Sequence, residues 1–520
     1  MTKTPGVYIV EKNSFPNAVV EVATAVPAFI GYTATATSGG TSLVGKPWRI
    51  TSMSDYTRYF GGAPKPLFSI KSLDTGTKSD LSDTEAAPSQ SIIFTHGSRQ
   101  YALARKAGKD GGRFLMYQAM LHFFQNGGGA CYIVSVGTYD DDIVAGDETK
   151  GLVAGFRALL KEQEPTMVLT PDAVLLSRAD CNIVQAAALK HCGLDMRNRF
   201  AILDVWGGEY DRQDTKGDCI DNFRDDIGIN HLSHAAAYYP WLHTSVVQDS
   251  EVDYGIIENP ADLATAISAE LGLANALAGD EKTKAVTDML VDALVPSMEP
   301  QRSLLHKSLS TVSTLYQRVL DESLKLINLM PPSAAMAGAY TMVDNTRGVW
   351  KAPANVSIAG VIRPTVEIAD ADQDGFNVST QGKSINTIRS FINEGVLVWG
   401  ARTLDSNSLD WRYINVRRTM IMLEESCQLA VKALVFEPNV SNTWVTIRSM
   451  ISNFLTGIWK RGGLAGANME DAFSVHCGLG ETMTSEDILE GILRVTVLVA
   501  LVRPAEFIEI TFQQQQMHQS

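Results

Sequence analysis

Residues 167–205 read MVLTPDAVLLSRADCNIVQAAALKHCGLDMRNRFAILDV, and this stretch decides the fold class. Met167-Val168-Leu169 is a short apolar run of strand size. Ser177 to His191 has helical character and is expected to close at Gly193. Phe200-Ala201-Ile202-Leu203-Asp204-Val205 reads as a second strand. Strand, helix and strand in succession make an α/β unit.

The same pattern extends outward. Met116 to Phe124 reads as an apolar helix, Gly127-Gly128-Gly129 as its stop and tight turn, and Cys131 to Val136 as the strand that follows. A stretch rich in Ala and Leu from Ala261 to about Leu294 reads as helical. Residues 71–91 (KSLDTGTKSDLSDTEAAPSQS) and 137–151 are polar or rich in Gly and Asp, and are expected to be exposed loops flanking an inserted module. In the last third, Tyr413 to Phe436 predicts a long helix with Ile414, Met420, Ile421, Cys427, Val431 and Leu434 inward, ended by Pro438. A second helix from Ser441 or Asn442 places Trp444, Ile447, Ile451, Phe454, Leu455 and Ile458 on one stripe and stops at Gly462-Gly463. Both ends of the chain are β-prone: Val7-Tyr8-Ile9-Val10-Glu11 near the start, and Glu506 to Phe512 after Pro504. An isolated strand must pair its backbone somewhere, in its own sheet or in a neighbour's.

At 520 residues and roughly 150 per domain, about three or four domains are expected. Hydrophobic residues make up 45% and charged residues 20%, which excludes a disordered or low-complexity chain. The formal charge of −14 makes free nucleic acid an unsuitable partner except at a local patch. The start MTKTPGVYIV has no leader-like apolar run, and the longest apolar run, Val495 to Val502, is strand-sized, so synthesis in the cytoplasm and no direct membrane insertion are expected. Six cysteines without a CxxC pair suit reduced thiols. Charge is uneven: residues 387–461 hold nine Lys/Arg (Arg389, Arg402, Arg412, Arg417, Arg418, Lys432, Arg448, Lys460, Arg461) and six acids, leaving −17 for the remainder. Such a segment is a candidate face for an anionic surface.

Short motifs with catalytic or ligand chemistry fail one by one. Gly40-Thr41-Ser42-Leu43-Val44-Gly45-Lys46-Pro47 nearly spells a P-loop, but Pro47 stands where a magnesium-binding hydroxyl is needed. Asp370, Asp372, Asp374 and Gly375 have EF-hand spacing, yet the twelfth position is Gln381 in place of the closing Glu, so an acidic linker is expected. His231 and His234 lack a third metal ligand. Asp204 ends a strand before Gly207-Gly208, where α/β enzymes place catalytic groups, with no base or nucleophile beside it. No catalytic, cofactor-binding or metal residue is assigned.

Longer stretches carry a resemblance. PGVYIVE at the start, TAVPAFIG (Thr24–Gly31), HFFQNGGGACYIVSV (His122–Val136), FAILDV (Phe200–Val205), AAAYYPWL (Ala235–Leu242), DNTRGVWKAPAN (Asp344–Asn355), INTIRSFINEGVLVWGARTL, WRYINVRRT and the closing RPAEFIEITFQQ resemble contractile tail sheath proteins. They run in the family's order along essentially the whole chain. INEGVLVWG departs from the Pro/Gly-containing turn of many phage sheaths.

The resemblance implies a non-enzymatic structural subunit of a multidomain α/β (α+β mixed) fold, without a cofactor. It would polymerise as stacked hexameric rings around an inner tube protein, with baseplate and terminator or cap proteins and related sheath proteins as further partners. Contraction would drive the tube through a target envelope. By this resemblance residues 1–22 are an N-terminal linker arm, 23–343 outer modules with an inserted α/β domain at about 95–343, 344–384 a connecting segment, 385–503 the tube-facing inner domain, and 504–520 a C-terminal arm. Val7, Tyr8, Ile9, Val10 and Glu11, and Phe507, Ile508, Glu509, Ile510 and Phe512, become strands donated to neighbours. Arg448, Lys460 and Arg461 become candidate tube contacts. Two arms on one chain favour a phage tail or tail-like particle assembled in the bacterial cytoplasm over the two-chain type VI sheath, and TAVPAFIGYT without a very large surface insertion favours an extracellular injection system. The competing readings are an α/β enzyme built around Asp204, or another tail or baseplate component.

Overall fold

Pro27–Thr33 (β1) is buried along its whole length, which a strand achieves only when both faces of its sheet are covered. In the computed structural model, which describes residues 19–73, 91–106, 109–271, 301–377, 381–507 and 509, β1 lies inside an eight-stranded sheet. The other strands are Trp48–Ile50 (β2), Cys131–Thr138 (β3), Met167–Leu169 (β4), Phe200–Asp204 (β5), Ala235–Tyr239 (β6), Asn386–Phe391 (β7) and Gly395–Trp399 (β8). Their order is β8-β7-β6-β5-β4-β1-β3-β2. Pairings from β3 through β7 are parallel, and antiparallel β2 and β8 close the two edges. Parallel neighbours need crossovers. Met116–Gln125 (α1) and Arg178–Lys190 (α2) supply two of them.

Local sequence explains these elements. Ser177 caps α2 by accepting from the Asp180 N–H, and Gly127 (φ 92°) ends α1 as expected. Gly193 does not end α2. The chain continues in a wider turn, His191–Met196, and stops at Arg197 in a left-handed conformation (φ 62°). Gly193 is needed for proximity, because a Cβ there would lie 2.4 Å from that of His231.

The chain divides into two units, Ala23–Thr346 with Pro353–Ile414, and a smaller one of Met1–Val22, Arg347–Ala352 and Asn415–Ser520. This moves two expected boundaries. Residues 95–343 are not a separate insertion, since β3 to β6 share one sheet with β1 and with β7. The later boundary falls at Asn415, not 385, because β7 and β8 extend that same sheet. Within the larger unit a second core forms between the three-stranded sheet Phe68–Leu73, Arg99–Arg105 and Ser91–His96 and the helices Pro260–Glu270 and Thr314–Ile327. The expected loop 71–91 is therefore bordered by strands, and its residues 74–90 lie outside the described ones. The expected helix from Ala261 to Leu294 is described as far as Glu270. The acidic stretch expected as a linker is the helix Asp370–Asn377. Ser333–Arg347 (α3) is almost wholly buried through its first ten residues.

Candidate functional site

The smaller unit is built on two long helices, Ile414–Lys432 (α4), which ends short of the expected Phe436, and Ser441–Lys460 (α5), close to its expected bounds. Met422 and Leu423 of α4 and Ile447, Ile451, Leu455 and Ile458 of α5 form its apolar core with Val349. The α5 terminus follows from glycine chemistry. Gly462 takes φ 82° and donates to Trp459 O at 2.9 Å, and the Gly463 N–H donates to Ile458 O at 3.0 Å.

Against this core lies a two-stranded sheet, Phe473–His476 (β9) and Thr496–Val499 (β10), antiparallel with Phe473 opposite Val499 and His476 opposite Thr496. The Ala500 N–H donates to Ala472 O at 2.8 Å. In an antiparallel ladder bonded and non-bonded pairs alternate, so Leu498 and Thr496 point their backbone groups toward β9, while Val497 and Val499 point theirs away. Among the described residues these two N–H groups have no backbone partner. Val497 and Val499 turn their side chains to the core and Leu498 is exposed. An apolar strand with one open edge is a template for a further strand. On β9, His476 bonds Glu481 at 2.6 Å and Ser474 at 3.1 Å, and the histidine bond holds the Glu481 carboxyl below its usual range.

The cationic segment is partly internal, four of its nine cations being buried. Arg389 is buried and bonds Asp370 at 2.7 Å, and Arg402 is buried and donates to Asn377 O at 2.8 Å. Both belong to the larger unit, whereas Arg417 and Arg418 are buried in the smaller one. Burial pulls the Arg417 pKa down. Of the candidate tube contacts, Lys460 is exposed, Arg448 half-buried, and Arg461 pairs with Glu21 while its guanidinium lies 5.1 Å from the Trp350 ring centroid. Among the arm residues Phe507 and Glu509 are exposed outside any strand. Val7 to Glu11, Ile508, Ile510 and Phe512 lie outside the described residues.

The ligand-like motifs resolve into local structure. Gly39 (φ 56°) and Gly40 (φ 81°) turn a small hairpin, and Lys46 donates to Ser42 O at 3.0 Å. Asp370 is engaged by Arg389 on a helix, not held in a calcium loop. His231 (φ 56°) precedes the single turn Leu232–His234, so the two histidines share no helical face. Asp204 is buried at the end of β5, where its carboxylate accepts the Ser333 N–H at 2.8 Å and the Ser333 hydroxyl at 2.5 Å, at the start of α3. Burial pushes its pKa up to about 7. Among the described residues no His, Cys, Asp and Glu group fit for a metal is present, and no helix is long and apolar enough to cross a membrane. The strand β9 is missing from the sequence reading, since four alternating residues, FSVH, give too short a signal.

Residues 406–515 match the phage tail sheath C-terminal domain family. The tail sheath protein of Vibrio phage KVP40 is 28% identical over 138 residues, which are 26% of this chain and 20% of that protein. The alignment thus spans a fifth of that curated relative. The sheath complex of the extracellular contractile injection system PVC, solved in its contracted state, is similar over 99% of this chain and 98% of its own, at 26% identity and a TM-score of 0.58. The helical sheath of the anti-feeding prophage, also contracted, is similar over 99% and 100%, at 27% identity and a TM-score of 0.58.

Proposed function

From the homology of this chain to the contractile sheath proteins of phage tails and of PVC and anti-feeding prophage injection systems, we propose that it is the structural subunit of a contractile sheath. It stacks as hexameric rings around an inner tube, and contraction drives the tube through a target envelope. The observation that carries this reading is the similarity to contracted-state sheaths over 99% of the chain. That similarity joins a C-terminal unit whose small sheet keeps one apolar strand edge open. The segments 1–12 and 506–512 are β-prone in sequence, and we assign them to that edge in neighbouring subunits. Backbone pairing of this kind survives rotation of the bodies it connects, because it needs no particular side-chain face.

The work then comes from assembly. An extended lattice that is metastable against the contracted one releases its difference through new subunit contacts. A few kcal/mol per subunit, on the scale of ordinary domain stabilities, sums over a cylinder. Such a subunit needs no catalytic group. Asp204 in this reading is a structural group, buried and bonded to Ser333 at the start of α3. We keep Lys460 and Arg448 as candidate tube contacts, with baseplate and cap proteins at the cylinder's ends. Assembly takes place in the bacterial cytoplasm, and the particle is a phage tail or an extracellular injection system. Electron microscopy of the purified protein tests the reading: striated cylinders are expected, and a discrete soluble oligomer under every condition rejects it.

A further inference from the structure

The first described residues are held by the smaller unit through three linked contacts. The Val22 N–H donates at 3.1 Å to the hydroxyl of Ser426, a fully buried residue of α4, and the Val22 side chain packs on the apolar core of the unit. Glu21 pairs with Arg461, just past the end of α5. The Arg461 guanidinium in turn lies over Trp350. Trp350 is itself fixed, since Asn415 donates to its carbonyl at 2.8 Å and glycines crowd its ring. A Cβ at Gly348 would fall 2.4 Å from the ring and one at Gly463 would fall 2.9 Å from it. Residues 21, 350 and 461, far apart in sequence, thus meet in one knot. An exposed ion pair alone contributes little. This one shares its cation with an aromatic face and sits next to a backbone bond to a buried hydroxyl.

We propose that Glu21, Arg461 and Trp350 form an anchor fixing the root of the N-terminal arm to the arm's own C-terminal unit, so that a pull along the arm is delivered to α4 and α5. The purpose of the anchor rests on the sheath reading above, but its existence does not. Arg461 is then a positioning residue for the arm and not a tube contact. Without the anchor, tension on the arm would first peel Val20 to Val22 from the unit, and slack would replace transmitted motion.

Charge reversal in the full-length protein tests this. Arg461→Glu or Glu21→Arg alone places like charges opposite each other. Each is expected to speed hydrogen exchange at the Val22 amide of the unassembled protein about 5- to 30-fold and to lower the yield of cylinders. The double variant Glu21→Arg/Arg461→Glu should restore both in part, the ion pair returning without the cation over Trp350. Glu21→Gln, which removes attraction without adding repulsion, should move both in the same direction by less. Thermal melting is expected to stay near wild type throughout. Val22 exchange that ignores both reversals, or an Arg461→Glu defect that Glu21→Arg does not rescue, overturns the anchor. The second result is the one a tube contact at Arg461 would give. Wild-type protein that forms no cylinders would reject the sheath reading, and the exchange measurement would still decide the anchor.

Discussion

The carboxylate of Asp204 holds Ser333 through both its backbone N–H and its hydroxyl, at 2.8 and 2.5 Å, and so joins the end of β5 to the start of α3. Burial raises its pKa to about 7. The folded chain therefore keeps a proton that the unfolded chain releases near pH 4. Between those values the folded state binds more protons, so stability falls as pH rises from about 4 to about 7 and is flat above, with a slope on the order of 1 kcal/mol per pH unit. Asp172, also raised by burial, to about 6, has the same sign. Asp204→Asn should flatten much of this dependence in thermal melts and still permit polymerisation. Asp204→Ala should cost about 1–3 kcal/mol by leaving the Ser333 groups unpaired.

Deleting residues 1–12 should abolish polymerisation and leave a folded monomer. Circular dichroism melts read the fold and negative-stain microscopy reads assembly. Normal cylinders from the truncated protein would remove the linker role from Val7 to Glu11.

The open edge of β10 gives a paired prediction. Val497→Pro removes an outward N–H and spares the bonds to β9, so the monomer should melt near wild type while assembly fails. Leu498→Pro removes a bond within the ladder and should lower the melting temperature as well.

Lys460 is exposed at the end of α5. Lys460→Glu should weaken co-sedimentation with the inner tube protein at low ionic strength, and the difference should shrink in high salt, where exposed charges are screened over a few ångströms.

What the sequence made legible is what is encoded locally. The strands β4 and β5, the helices α4 and α5 and the Gly462 boundary were readable, because apolar period and capping chemistry lie within a few residues of each other, whereas α4 ends at Lys432, short of the Phe436 expected from Pro438. The domain plan was not. Parallel pairing of β6 with β7, near Tyr238 and Asn386, leaves no local trace, so β7 and β8 read as part of the following domain. Charge counting also misled: Arg389, Arg402, Arg417 and Arg418 look like a surface patch until the fold buries them. The candidate interface was half legible. The apolar run Val495 to Val502 marked β10, but its open edge depends on β9, too short to announce itself, and the role of Arg461 depends on Glu21 and Trp350, which only the folded chain brings to it.

A helical reconstruction of cylinders grown from the purified full-length chain tests the central claim most directly. It should show six subunits per ring and an additional strand from a neighbouring subunit bonded along the Val497 and Val499 edge of β10. A chain that never polymerises, or a cylinder in which that edge stays unpaired, would contradict it.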